Sequence, residues 1–383
     1  MDRRAIVIGA GLAGAAACER LCARGWQVTL VERHAQAAME ASGNLAGIFM
    51  PLLSKDDNIT SRLTRAAFLY ALDTWERIGP ITGERCGVLQ LARDAEHANV
   101  QRQIAARRNY DPGFAEWLDA DAASTKLGSP APDGAWWFAR GGWARPSSVC
   151  AAMLQASTGL TAHFGTGDVR WQRVDGQWQV TNLQGDLIAQ APVLVVANGA
   201  KSSEVAHLRL MRIRGQVSHL DASLVRALPF VLCREAYLTP PMNGIVCAGA
   251  TYDTRSEPTL AQSCHDDNLA KLRSLLSDPT VAQGAPLAGR VGFRSVAPDR
   301  LPLVGALPDA EVAGRVEHLH QVARQSGLYG LLGYASRGLI WAPLAAELLA
   351  AMLEGEPPML EPQLVRALDP ARFLLAQRRR LPA

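Results

Sequence analysis

The chain of 383 residues carries little that would mark a hydrolase, a metalloprotein or a membrane protein. Its seven cysteines are scattered and odd in number, with no C-x-x-C pair. That pattern argues against a disulfide framework or a zinc site and suits a reducing cytoplasm. Cys18 and Cys22 share a helix face, as small core-facing residues do. No uncharged apolar run reaches the roughly 18 residues needed to cross a bilayer; the C-terminal candidate is interrupted by Arg337. No Ser/His/Asp arrangement or metal-ligand cluster stands out, and His219, His265, His318 and His320 read as surface or structural histidines. No repeat of fixed period is present. A net charge of +3 is too small to identify a partner. Basic residues do cluster at Arg102, Arg107 and Arg108, at Arg209, Arg212 and Arg214, and at Arg378-Arg379-Arg380. Such clusters are either solvated faces or footprints for phosphates.

What is present is concentrated at the N-terminus. Ala5-Ile6-Val7-Ile8 is an apolar run of the kind that forms a buried parallel strand. Gly9-Ala10-Gly11-Leu12-Ala13-Gly14 follows as a G-x-G-x-x-G turn, then a helical stretch from Ala15 to Arg24 that ends at Gly25. A second strand, Gln27 to Val31, delivers Glu32, 21 positions beyond Gly11. Gly9 permits the tight turn, Gly11 lets backbone approach a pyrophosphate, and Gly14 lets helix and strand pack closely. The pyrophosphate sits on free N–H groups at the helix N-terminus, and Glu32 takes the adenosine ribose. Arg3-Arg4 followed by apolar Ala5 to Ala17 superficially resembles a signal peptide, but the glycine spacing and Glu32 point to a mature, uncleaved segment.

With 48% hydrophobic residues the chain can bury two sizeable cores. Ala41-Ser42-Gly43-Asn44 and Gly47 form a small turn rich in backbone donors, placed to hug a cofactor or to be a plain loop. A helix is expected over about Ile59 to Ile78, with Trp75 in the core. Val88–Leu91 and Ala135–Phe138 read as strands, Glu96 to Arg108 as a polar helix, and Pro146 as the start of a helix running to about Gly159. Val169 to Val180 reads as a hairpin turning at Asp175-Gly176. Pro192 to Ala200 is a buried strand ending in a glycine turn, a second place for backbone to meet a dinucleotide. Several short strands are expected between His207 and Gly249, then a helix from about Leu260 to Leu276. Leu328 to Gly333 is another buried strand, and an apolar helix from Ala342 to Leu353 follows. That last strand, turn and helix returns to the nucleotide-binding domain. With no evident catalytic acid or base, a flavin is favoured, because its ring performs the redox chemistry.

The order of motifs resembles the glycine oxidase, sarcosine oxidase and D-amino-acid oxidase superfamily of FAD enzymes. It rests on Gly9-x-Gly11-x-x-Gly14 with Glu32, Gly142-Trp143 with Pro146, Ala197-Asn198-Gly199, Gly249-Ala250-Thr251, and Arg294 with Asp299 and Pro302. More narrowly the chain is similar to the FAD oxidase domain of the bifunctional enzymes that make 5-methylaminomethyl-2-thiouridine in tRNA. Ser42-Gly43-Asn44, Pro51 to Lys55, Arg214 to Ser218, Arg300-Leu301-Pro302, Ser336 to Leu339 and Ala342-Pro343-Leu344 carry that likeness. Those enzymes join a methyltransferase to the oxidase, so the resemblance implies a methyltransferase domain or partner.

The fold implied is α/β, α+β overall: a Rossmann-like FAD-binding domain with a parallel sheet and an inserted antiparallel-sheet substrate domain, glycine oxidase-like. Residues 1–82, 141–206 and 291–383 are assigned to the first, 83–140 and 207–290 to the second. Beyond the N-terminal glycines, Leu12, Ala13 and Glu32, the resemblance puts Arg33, Ser42, Gly43, Asn44, Gly47 and Val169 on the cofactor. Ala197, Asn198, Gly199, Gly333, Ser336, Arg337, Gly338 and Leu339 join them. It makes Arg294 the anchor for a substrate carboxylate, the alternative being an ion pair with Asp299. Arg337 would be a second pocket arginine, and Tyr237 a pocket hydroxyl or a core tyrosine. Covalently flavinylated relatives carry a cysteine where this chain has Gly292, so FAD is expected to be non-covalent. Position 252 is tyrosine and offers no lysine for oxygen activation. The implied reaction is oxidation of the carboxymethylaminomethyl group of wobble uridine in tRNA, in the cytoplasm, without metal or membrane. It releases glyoxylate and leaves 5-aminomethyluridine. Oxidation of small N-substituted glycines or amino acids is the alternative, as is a tRNA-binding flavoprotein with weak turnover.

Overall fold

A computed structural model describes residues 2–199, 208–312 and 314–379; the expectations placed on Ala200, His207 and Arg380 lie outside them. The N-terminal run forms strand β1 (Arg4–Ile8), which leads into helix α1 (Leu12–Cys22) and strand β2 (Gln27–Val31). β1 is central in a six-stranded sheet ordered Leu303–Pro308, Arg324–Leu332, Val193–Val196, β1, β2, Leu160–His163. Every neighbouring pair is parallel except the first. β1 is apolar without alternation because both its faces are covered. Ala5 and Val7 point into a core with α1, helix α2 (Ile59–Arg77) and the Gly338–Glu354 helix. Ile6 and Ile8 point into a second core with Trp178 and Val180, which belong to a separate three-stranded sheet built from residues 169–191.

Two helices begin earlier than their sequences suggest. α1 starts at Leu12, directly after Gly11 as N-cap, so Gly14 lies inside the helix. The C-terminal helix starts at Gly338 and carries Pro343 in its interior. Proline normally marks a first helical turn; here it only deprives the Leu339 carbonyl of its usual donor, within the first two turns. Trp75 packs in the core, edge-on to Phe49 with ring centroids 4.9 Å apart.

The second large sheet has eight strands, ordered Ala288–Val296, Met211–Asp221, Ile245–Gly249, Tyr237–Leu238, Val231–Cys233, Val88–Leu91, Ala135–Phe138, Glu116–Leu118. Its pairs are antiparallel except Val231–Cys233 with Val88–Leu91. Instead of only short strands after His207, residues 211–221 form one strand of 11 residues. Gly215 does not break it, because it sits opposite Gly292 in a ladder running from Met211–Val296 to His219–Ala288. That ladder keeps Ala288–Val296 whole in the antiparallel sheet, so the boundary expected at 290/291 falls within a strand. The Gln262–Leu276 helix covers one face of the sheet through Leu269, Leu272 and Leu275. The other face buries Val217, Cys233 and Cys247. Among the described residues no helix is long and apolar enough to cross a membrane.

Candidate functional site

The glycine turn is fixed by close approach. Gly9 has φ +102°, and a Cβ there would lie 2.8 Å from the Ala197 carbonyl oxygen. A Cβ at Gly14 would collide with the Gly9 carbonyl oxygen, so the helix sits directly on the turn. The Gly9 N–H donates to Val31 O and the Ala197 N–H to Ile8 O, each at 2.9 Å. α1 has no side-chain cap and no acid in its first turn; its Leu12 N–H donates to Ser42 Oγ at 3.1 Å, beside Ala13 and Gly14. The Gly338–Glu354 helix also starts without a side-chain cap. A Cβ at Gly338 would lie 3.1 Å from Leu12 Cδ1, and one at Gly47 would lie 2.7 Å from Leu339 Cδ1. Two helix N-termini therefore meet, each presenting N–H groups and a partial positive charge, which fits a diphosphate.

Around that point the remaining cradle residues gather. Residues Ala41–Gly43 form one 3-10 turn that ends at Asn44. The Arg290 guanidinium fills the space where a Gly43 side chain would be and donates to Met39 O at 2.5 Å and Glu40 O at 3.0 Å. The antiparallel sheet thereby clamps the turn. The buried Glu32 carboxylate accepts from the Ala10 N–H at 2.6 Å and the His34 N–H at 2.9 Å. A carboxylate has about four lone-pair positions, which leaves acceptors for ribose hydroxyls. Thr166 Oγ1 donates to Glu32 O, Gly167 N–H to Arg33 O, and Arg33 faces Asp168 at 3.7 Å, which brings Val169 alongside. Asn198 and Gly199 (φ +60°) follow Ala197 next to Gly9. Gly333 (φ +73°) turns the chain out of the Arg324–Leu332 strand, and exposed Ser336 precedes Arg337.

The second half of the site lies on the antiparallel sheet. Arg294 Nη1 donates to Thr251 O at 3.3 Å, and its Cζ stands 4.1 Å from the Tyr252 ring centroid. A Cβ at Gly215 would lie 2.5 Å from Arg294 Cζ and 2.6 Å from Nη2. The guanidinium is thus held between an aromatic ring and bare backbone, with its donor edge remaining for a bidentate acid. No carboxylate among the described residues pairs with it. Asp299, the alternative partner, is bound by Arg372 at 2.7 and 2.9 Å. Tyr237 is half-buried near Cys247, Arg294 and Tyr252, and desolvation of its hydroxyl pushes it above the usual tyrosine range. Burial also raises the thiols of Cys233 and Cys247 to about 12, so both stay neutral. The Arg337 guanidinium is pulled below its ordinary value by burial, within electrostatic reach of Tyr252 and Cys233. Two arginines and two tyrosines therefore converge. Nothing in the sequence alone singles out Gly215, Tyr252 or Arg290 as part of the site, although Gly215 lies within the Arg214 to Ser218 motif.

The basic clusters are only partly free. Arg214 is buried and spends its donors on Glu257 O, Asp253 Oδ2, Gln216 Oε1 and Thr259 O. Arg378 is buried and donates to Ala310 O. As phosphate contacts these two are corrected to structural residues. Arg102, Arg107, Arg209 and Arg212 are exposed. Among the described residues no group of His, Cys, Asp and Glu could hold a metal ion.

The glycine turn, the two meeting helix N-termini and Glu32 on a parallel sheet define a dinucleotide-binding protein. The chain belongs to the DAO family, FAD dependent oxidoreductase, which matches residues 4–352. It is 45% identical over 390 residues to the tRNA 5-methylaminomethyl-2-thiouridine biosynthesis bifunctional protein MnmC of Azoarcus sp. (strain BH72), covering 99% of this chain and 61% of that protein. The MnmC of Paraburkholderia xenovorans (strain LB400) is 43% identical over 98% of this chain and 60% of its own length. The chain thus spans about three fifths of these relatives. Glycine oxidase from Geobacillus kaustophilus shares the fold with a TM-score of 0.77 at 20% identity, covering 97% of this chain and 99% of that one. Iminodiacetate oxidase from Chelativorans sp. BNC1 follows at 0.73 and 24%, covering 94% and 97%.

Proposed function

We propose that this chain oxidises the carboxymethylaminomethyl group of wobble uridine in tRNA, releasing glyoxylate and leaving 5-aminomethyluridine. The observation that carries the reading is the Arg294 guanidinium, fixed between Tyr252 and Gly215 with no carboxylate partner among the described residues. The substrate side chain is glycine carrying a uridinylmethyl group on nitrogen, so it presents a carboxylate next to an oxidisable C–N bond. The names of the relatives supply the tRNA context. Bound FAD would supply the two-electron acceptor for this bond.

Gly11, Ala13, Gly14, Gly338 and Leu339 would bind the diphosphate through backbone N–H groups, with Gly9 and Leu12 shaping the turn while their own N–H groups are taken by Val31 O and Ser42 Oγ. Glu32 would hold the ribose, with Arg33 and Val169 flanking it. Ser42, Gly43, Asn44, Gly47, Ala197, Asn198, Gly199, Gly333 and Ser336 would line the rest of the cofactor. Arg294 holds the carboxylate, and restricting the adjacent carbon to one position lowers the entropic part of the barrier. Arg337 adds positive charge from the other wall, and Tyr237 offers a neutral hydroxyl. With Gly292 at the position of a flavin-linking cysteine, the cofactor is non-covalent; acid precipitation should leave the flavin in the supernatant. We assign residues 1–82, 141–206 and 297–383 to the cofactor domain and 83–140 and 207–296 to the substrate domain, which moves the boundary expected at 290/291 to the end of the Ala288–Val296 strand. The primary amine left behind is a nucleophile that an N-methyltransferase, fused or separate, would consume in the cytoplasm.

The test is mass spectrometry of wobble uridine from cells lacking this protein, where the carboxymethylaminomethyl nucleoside should accumulate. Unchanged wobble nucleosides would sink the reading. One observation keeps a small N-substituted glycine as the second reading: Arg214 and Arg378 are taken up internally, which reduces the basic surface left for tRNA. Faster turnover of N-methylglycine than of the modified tRNA would favour it.

A further inference from the structure

We propose that Tyr252 is the residue that makes this site select a nucleoside over a free N-substituted glycine, by packing against the pyrimidine of the substrate whose carboxylate Arg294 holds. The inference rests on the function proposed above. Tyr252 is 60% exposed although its ring lies against a pocket arginine. Its inner face is fixed by the Arg294 guanidinium at 4.1 Å, and Arg337 and Tyr237 lie within electrostatic reach. The ring is therefore oriented by the same group that would anchor the acid, while more than half of its surface faces solvent.

Substrate geometry connects the two. In carboxymethylaminomethyluridine four covalent bonds separate the carboxylate carbon from C5 of the pyrimidine. At roughly 1.25 Å of reach per bond the span is about 5 Å. With its carboxylate on the free edge of Arg294, the substrate is long enough for its pyrimidine to reach the Tyr252 ring at the centroid separation, about 4.5–7 Å, at which aromatic rings pack. N-Methylglycine carries only a methyl group on nitrogen and leaves the ring untouched. Arg294, with the ring that supports it, serves both substrates, whereas direct contact with the outer part of the Tyr252 ring would be made by one. That separates anchoring from selection.

The experiment uses the FAD-loaded protein and its Tyr252→Ala and Tyr252→Phe variants. Binding of N-methylglycine and of free 5-carboxymethylaminomethyluridine is read from perturbation of the flavin spectrum, and kcat/KM is measured for both. Tyr252→Ala should weaken nucleoside binding and lower its kcat/KM by about 10- to 100-fold, the scale of a lost base–aromatic contact. Both ligands should lose whatever Tyr252 adds to holding Arg294, so the inference is read from the ratio: the nucleoside's kcat/KM should fall about tenfold or more further than that of N-methylglycine, and Tyr252→Phe should restore both. Equal losses on both ligands would show that Tyr252 merely supports Arg294, and would overturn the inference, as would no loss on either. If the unaltered protein takes N-methylglycine but neither the nucleoside nor the modified tRNA, the functional reading itself fails and this inference with it.

Discussion

The two halves of the site are built in opposite ways. The cofactor half has a local centre: Gly9 to Gly14, β1, α1 and Glu32 come from one continuous stretch, to which Ala197 and Gly338 are added from later in the chain, and its contacts are mostly backbone to backbone or backbone to carboxylate. The substrate half is assembled at long range. Arg294 depends on Gly215 across a ladder and on Thr251 and Tyr252 from the turn after Ile245–Gly249, while Arg337 reaches Tyr252 from the C-terminal helix start. A short-range motif tolerates drift elsewhere in the chain, whereas a cross-strand site is only as good as its register. The cofactor half should therefore fail all at once and the substrate half by degrees.

The largest effect is expected in the cradle. Gly14→Val puts branched atoms where the Gly9 carbonyl already lies, so the purified protein should be colourless even after soaking in FAD. A yellow variant with wild-type flavin content would break the comparison. On the substrate side, Gly215→Ala adds one methyl in contact with the Arg294 guanidinium and displaces it. Flavin content should be unchanged while KM for any carboxylate substrate rises by about 10- to 100-fold, the scale of a weakened bidentate pair. Loss of flavin in this variant would mean that the two halves are not independent.

A smaller, graded effect concerns pH. A protonated amine is a poor hydride donor, so kcat/KM should rise about tenfold per pH unit below the substrate amine pKa. Burial raises the Tyr237 hydroxyl above the usual tyrosine range, so it keeps its proton across the working range. Tyr237→Phe should accordingly leave the slope of the profile intact and change only its height. A variant whose rate no longer depends on pH would identify Tyr237 as the titrating group instead.

The same contrast explains what could be read from the sequence. The cradle was legible because glycine spacing, strand periodicity and Glu32 lie within one window, and the return of the C-terminal helix was visible from its repeated strand–turn–helix pattern. The pairing of Gly215 with Gly292 is a property of two strands far apart in the chain, and no local signal encodes it. Tyr252 looked like a lysine-free position; its contact with Arg294 appears only when the sheet is folded. Arg214 looked like part of a basic patch because the carbonyls of Glu257 and Thr259 that bury it lie more than 40 residues away. The helix expected from Ala342 begins at Gly338 and carries Pro343 in its interior, where proline is rare.

The central claim is that Arg294 holds an acid beside the cofactor, and anaerobic mixing of the holoenzyme with tRNA bearing the carboxymethylaminomethyl group tests it most directly. The unaltered protein should lose its flavin absorbance rapidly. Arg294→Gln should keep its flavin but bleach at least about 100-fold more slowly at the same tRNA concentration, as expected for a lost charge-assisted pair. Bleaching of Arg294→Gln at the unaltered rate would contradict the account.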